Sequence, residues 1–265
     1  MTKKTSIQES IMLLNIIDDP MFEKMAEDIG FCEEVISTVL GQKVRVISVT
    51  PQKSIKNLQG RSVVLDVLCE LEDGRRCNIE MQKANDDDHE KRVRYNTSCI
   101  TANITDTGIK FEKVPDIISI FISKFDIFQE GKTVYHIDRT IRETGKISDN
   151  GLQEIYVNTK IDDGSDIAQL MRIFKEQNTY DFEKFPKTSK RKQYLMKNEG
   201  GRNNMHEAVV NYAKQYAKEV EIEKAKEIAR NFLEKGVDYE MVRMSIDSLS
   251  DEELMEIYND VTSKK

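Results

Sequence analysis

Apolar residues recur every three or four positions early in the chain: Phe22, Met25 and Ile29, then Val35, Ile36, Val39 and Leu40. That spacing predicts helix. Asp18-Asp19-Pro20 predicts its start and Gly41 its end, with Gly30 dividing it in two. Strand-like runs follow over 44–49, 62–70 and 75–82. A helix is predicted over 89–105 after the polar stretch 86–90. The short, nearly unbroken apolar run 117–123 reads as a buried strand. Further strands are predicted over 134–141 and 152–160. Beyond Asp162-Asp163-Gly164 the spacing becomes helical again, over 167–176 and 205–235, where Gly236 stops it. Ser250-Asp251-Glu252-Glu253 predicts the cap of a last helix. No internal repeat is present. The chain therefore divides into an α/β body over 1–165 and a helical C-terminal region over 166–265.

Composition narrows the class. Hydrophobic residues make up 38% of the 265, enough for a core without disulfides or structural metal. Charged residues make up 33%, and only 12 Gly and 4 Pro interrupt the chain, so collagen-like, low-complexity and wholly disordered classes are excluded. No stretch approaches the roughly 20 apolar residues that span a bilayer. The apolar run 11–17 follows Lys3-Lys4, yet it is short, broken by Asn15 and followed by Asp18-Asp19. It reads as a folded segment of a cytoplasmic protein and not as a signal peptide. Cys32, Cys69, Cys77 and Cys99 show no C-x-x-C spacing and are expected as reduced thiols. His89, His136 and His206 lie too far apart in sequence to suggest a metal cluster.

The net charge of −7 argues against a global electrostatic grip on nucleic acid. Charge is unevenly placed, however. Lys184, Lys187, Lys190, Arg191, Lys192, Lys197 and Arg202 share their stretch with a single acid, Glu199. Such a run reads either as a solvated face or as a phosphate-holding one.

The segment from Ser62 to Gln82 carries the most chemistry. Glu72-Asp73-Gly74 predicts a three-residue hairpin loop with glycine in the left-handed conformation. Leu71 then faces Arg75, Cys69 faces Cys77 and Asp66 faces Glu80. This register collects Val63, Leu65, Val67, Cys69, Cys77, Ile79 and Met81 on one apolar face. Asp66, Glu80 and Gln82 fall on the other. Two carboxylates facing each other across a strand pair repel unless one is protonated or a cation sits between them. Mg²⁺, a hard ion held by one or two carboxylates plus waters and phosphate oxygens, suits that pair. Gln82 points to the same face, where its amide is placed to orient water or phosphate. Lys83 points away.

Asp66, the hairpin and Glu80-Met81-Gln82 together resemble the PD-(D/E)XK nuclease superfamily. They are most similar to its recombination-promoting nuclease and transposase branch, in which Gln commonly replaces the motif's last Lys. Lys91-Arg92, Tyr95-Asn96-Thr97-Ser98 and the segments 115–128 and 152–160 extend the resemblance over roughly 15–160. It implies a mixed central β-sheet flanked by helices, a restriction-endonuclease-like core, with the helical region as an extension. It implies Mg²⁺-dependent endonucleolytic cleavage of DNA by a metal-bound water, Mn²⁺ being a possible substitute. Asp66 and Glu80 would be metal ligands, with the Met81 carbonyl completing the inner shell and Gln82 in the position of the usual lysine. Arg92 and Tyr95, with Lys190, Arg191 and Lys192 of the C-terminal third, would contact DNA. Glu34 on an early helix is a further candidate ligand. The alternatives are a catalytically weak or inactive DNA-binding protein that keeps the fold, and a chain that self-associates through the apolar positions of 205–235.

Overall fold

A computed structural model describes residues 11–57, 60–85 and 88–263. Lys3, Lys4, Asp86 and Asp87 lie outside the described residues. Two compact units divide the chain, the first running to Ala208 and the second starting at Val209. The division thus falls well beyond the expected position near 165, because two helices after the sheet pack onto the helices before it.

In the first unit, helix α1 (Asp19–Ala26) starts at Asp18 with Pro20 in its first turn. The Asp28 carboxylate accepts the Phe31 N–H at 2.8 Å and starts α2 (Ile29–Leu40), which Gly41 ends with φ +63°. Side-chain capping at Asp28 therefore breaks the helix, and Gly30 belongs to the first turn of α2. A Cβ on Gly30 would come within 3.0 Å of the Asp28 carboxylate and 3.2 Å of the Lys187 side chain.

Strands β1 (Val46–Ile55), β2 (Val63–Leu71) and β3 (Arg76–Gln82) precede α3 (His89–Ile104). Strands β4 (Ile117–Ser123), β5 (Val134–Ile137), β6 (Thr140–Ile141), β7 (Lys146–Ile147) and β8 (Leu152–Asn158) follow. Six of them form one mixed sheet in the order β1-β2-β3-β4-β8-β5, and β6 pairs with β7 apart from it. The strand expected over 134–141 is thus two, belonging to different sheets. Strands β3, β4 and β8 run parallel. β4 is buried at every position, the pattern of a strand covered on both faces. β1 runs further than its apolar pattern indicated, through Pro51, which a sheet edge tolerates.

On one side of the sheet lie α1, α2, α4 (Asp166–Lys175) and α5 (Pro186–Lys197). Phe22, Phe31 and Phe174 join α1, α2 and α4 through ring contacts of 6.1 and 5.7 Å. On this side the Cys32 thiol of α2 meets Cys69 and Cys77, which face each other across β2 and β3 as expected. All four cysteines are free and buried. On the other side lies α3, whose Val93 packs with Phe121 and Tyr156.

The second unit holds the α6 (Glu199–Glu234) residues from Val209 onward, α7 (Tyr239–Ser245) and α8 (Asp251–Ser263). Its core is Ala229, Leu233, Val242, Leu254, Ile257 and Val261. Gly236 takes φ +82° after α6. Ser250 and Glu253 form the expected capping box, each side chain accepting the other's backbone N–H. Within α6, Tyr216 and Ile228 remain exposed. No described helix is long and apolar enough to cross a membrane.

Candidate active site

The β2–β3 hairpin closes as its glycine dictates. Gly74 has φ +90°, its N–H donates to the Leu71 carbonyl at 3.0 Å, and the Leu71 N–H donates to the Arg75 carbonyl at 3.0 Å. The ladder then runs through Cys69↔Cys77 to Val67↔Ile79 and stops. Asp66 is therefore not a ladder partner of Glu80, one step short of the expected register. Alternation makes Met81 the next β3 residue whose N–H points toward β2. That N–H donates instead to the Asp66 carboxylate at 2.7 Å. A side chain thus replaces the backbone acceptor at the point where the two strands part.

The apolar face also changes hands here. Cys69 meets Cys32 of α2, whereas Val63 and Leu65 cluster with Cys99 and Ile100 of α3. The odd positions of β2 do not keep to one side, as strict alternation required. The change falls at Asp66, which has no ladder partner on β1, and Gln52 of β1 has φ +48° at that level. A left-handed residue inside a strand interrupts the alternation of side chains.

Glu80 is buried, with 7% exposure, and Asp66 is half-buried. The Glu80 Oε1 atom accepts from Asn78 Nδ2 at 2.9 Å and from Asn96 Nδ2 at 3.5 Å. Burial foremost, and then the Asp66 charge, pushes the Glu80 carboxyl up to about 8. Burial likewise raises Asp66 to about 6, against the stabilising Met81 N–H; the Asp19 charge raises it further and Arg92 lowers it. Two acids that resist ionisation side by side attract a cation. Asp19, at the start of α1, brings a third negative charge to the site, which sequence reasoning missed because forty-odd residues separate it from the hairpin. It also pairs with Lys83 at 3.1 Å.

Gln82 is held at both ends of its amide. Nε2 donates to the Ala84 carbonyl at 2.9 Å and Oε1 accepts from Arg92 Nη1 at 2.9 Å. Tyr95, one turn along α3, donates its hydroxyl to the Arg61 carbonyl at 2.6 Å. Met81 buries its side chain.

The other candidates lie elsewhere. The Glu34 carboxylate accepts the backbone N–H groups of Lys187 at 3.1 Å and Thr188 at 2.7 Å, so it caps α5 instead of joining the acidic pair. Lys190 is exposed. Arg191 donates to the Lys24 carbonyl at 2.6 Å and pairs with Glu27 at 3.4 Å. Lys192 is fully buried, its ammonium donating to the carbonyls of Ile173, Glu176 and Thr179 at the end of α4. This corrects the expectation that Lys192 reaches DNA: its charge is spent on a helix end. The basic run is largely an interhelical seam.

The donor set fits a hard divalent ion. Among the described residues no group of three His, Cys, Asp or Glu side chains is arranged around a metal position. Two carboxylates completed by water and phosphate oxygens are what Mg²⁺ needs, and Asp66 and Glu80 provide them.

A family described as PD-(D/E)XK nuclease family transposase matches residues 28–255, a span that holds the whole hairpin, α3 and most of the second unit. No curated protein and no solved structure matches the chain. The mixed sheet flanked by helices and the family match together show that the chain belongs to the PD-(D/E)XK nuclease family of transposases.

Proposed function

We propose that the protein is a divalent-metal-dependent endonuclease that hydrolyses phosphodiester bonds in DNA, with Asp66 and Glu80 as the ligands of Mg²⁺ or Mn²⁺. The observation that carries this reading is the hydrogen bond from the Met81 N–H, beside Glu80, to the Asp66 carboxylate where the β2–β3 ladder breaks, which brings the two acids to one place. A bound divalent ion neutralises charge developing on the phosphodiester and acidifies a water. The chain's own residues prepare that site. Asn78 and Asn96 fix one Glu80 oxygen, and the Met81 N–H fixes one Asp66 oxygen. Arg92, held by Gln82, is the cation whose charge favours ionisation of both acids. It takes the electrostatic role that a lysine at position 82 would fill, while Gln82 positions it and does not itself orient water.

The test is cleavage of plasmid DNA with Mg²⁺ or Mn²⁺. Wild type is expected to cut, with Asp66→Ala and Glu80→Ala at background. Equal activity in wild type and Asp66→Ala would eliminate the site. A second reading, a DNA-binding protein that keeps the fold without cleavage, draws support from the neutral Gln82. DNA binding without cleavage under either metal would establish it.

A further inference from the structure

A cleft of about 370 Å³ adjoins the acidic pair, between the approach to β2 and the first half of α3. Arg92 and Asn96 line it and also touch the site, through Gln82 and Glu80 respectively. Three more cations line it: Arg61, Lys91 and Arg94, all exposed. Among the described residues one acid, Asp88, lines it with them and pairs with Lys91 at 2.7 Å. Among the described residues neither Arg61 nor Arg94 forms a salt bridge. The cleft is a built feature. The Tyr95 hydroxyl ties the Arg61 backbone to α3, and Asn57 Nδ2 donates to the same hydroxyl at 3.4 Å. A Cβ on Gly60 would lie 3.3 Å from the Tyr95 hydroxyl. Val64, 57% exposed, adds an apolar surface beside the cations. In a chain of net charge −7, such a concentration of positive charge next to two acids selects a polyanion.

We infer that this cleft binds the phosphodiester backbone of a polynucleotide strand beside the bond facing Asp66 and Glu80, with Arg61 and Arg94 as its main phosphate contacts. The placement beside a scissile bond rests on the nuclease reading; the binding itself does not. Guanidinium groups suit phosphate oxygens through paired N–H donors. The volume lies at the small end of ligand sites, which suits a single sugar-phosphate stretch.

The experiment is fluorescence anisotropy with single-stranded DNA and RNA oligonucleotides, in EDTA and again in Ca²⁺, over a salt series. Arg61→Ala/Arg94→Ala is expected to bind at least about tenfold more weakly, its log–log salt slope reduced by about 1.4 for two lost single-strand phosphate contacts. Lys43→Ala/Arg45→Ala removes the same charge from the far end of β1, where Val46 pairs with Leu71 and Ile55 with Val63. That variant is expected to bind like wild type. Loss in both DNA and RNA supports backbone recognition, and loss confined to one also supports the cleft while naming its strand. Equal weakening in the two double variants would overturn the proposal. So would an unchanged slope in Arg61→Ala/Arg94→Ala, or no binding by wild type in either medium. Thermal melts exclude unfolding as the cause. Arginine-dependent binding without cleavage would sink the nuclease reading alone, and cleavage with an indifferent cleft would sink this one alone.

Discussion

Gln82 Oε1 accepts a hydrogen bond from Arg92 Nη1 at 2.9 Å, so a neutral strand residue anchors a helix cation whose charge acts on both acids. If Arg92 supplies the positive charge, Arg92→Ala should lower kcat by about 10²-fold, the scale of losing one preorganised donor. Gln82→Ala leaves the guanidinium present but unanchored and should cost about tenfold. Single-turnover cleavage of both variants checks the order, and a larger loss in Gln82→Ala would assign the chemistry to the amide instead.

The contribution of Asp66 and Glu80 to metal-free stability should fall as pH rises from about 4 to about 8. Burial raises Asp66 to about 6 and Glu80 to about 8, whereas the unfolded chain ionises near the usual carboxylate values. Across that window the folded protein holds protons that the unfolded chain releases, so each pH unit favours unfolding. Below the window both states are protonated and the penalty vanishes. Glu80→Gln removes the larger contribution and should melt above wild type at pH 9 in EDTA, the two converging near pH 4. Melting curves of both proteins across pH check this, and a difference between them that shrinks toward pH 8 would refute it.

Glu34 accepts the first N–H groups of α5, and Glu34→Ala should destabilise by about 1–2 kcal/mol as a lost cap. Metal affinity should stay unchanged. Urea denaturation together with metal titration separates this outcome from a ligand role, in which affinity would fall.

Lys192 fills a buried position and satisfies carbonyls of α4 and the turn after it. Lys192→Ala leaves those carbonyls without their donor and should cost about 2–4 kcal/mol. DNA affinity per folded molecule should be unaltered. Denaturant melts and anisotropy on the same samples test both halves.

Much of this arrangement was legible in the sequence for local reasons. Gly74 and its two neighbours fix the hairpin register, which holds from Leu71 and Arg75 to Val67 and Ile79. The apolar run at 117–123 matches β4 residue for residue. Alternation fails at Asp66, where a carboxylate substitutes for a backbone acceptor and Gln52 turns left-handed on the neighbouring strand. Neither event has a short-range signature. Asp19 and Asn96 reach the site through tertiary packing, Arg191 is half-buried against Lys24, and Lys192 is buried against Ile173. Those contacts lie more than a hundred residues away for Arg191, so a run of cations read by itself resembled a surface.

The shared cation position of Asp66 and Glu80 is tested most directly by calorimetric titration of Mn²⁺ into wild type, Asp66→Asn and Glu80→Gln. Wild type is expected to bind at this site with proton release that grows below pH 8, and each variant is expected to lose that binding. Binding of equal affinity in wild type and both variants, or none in wild type, would contradict the account.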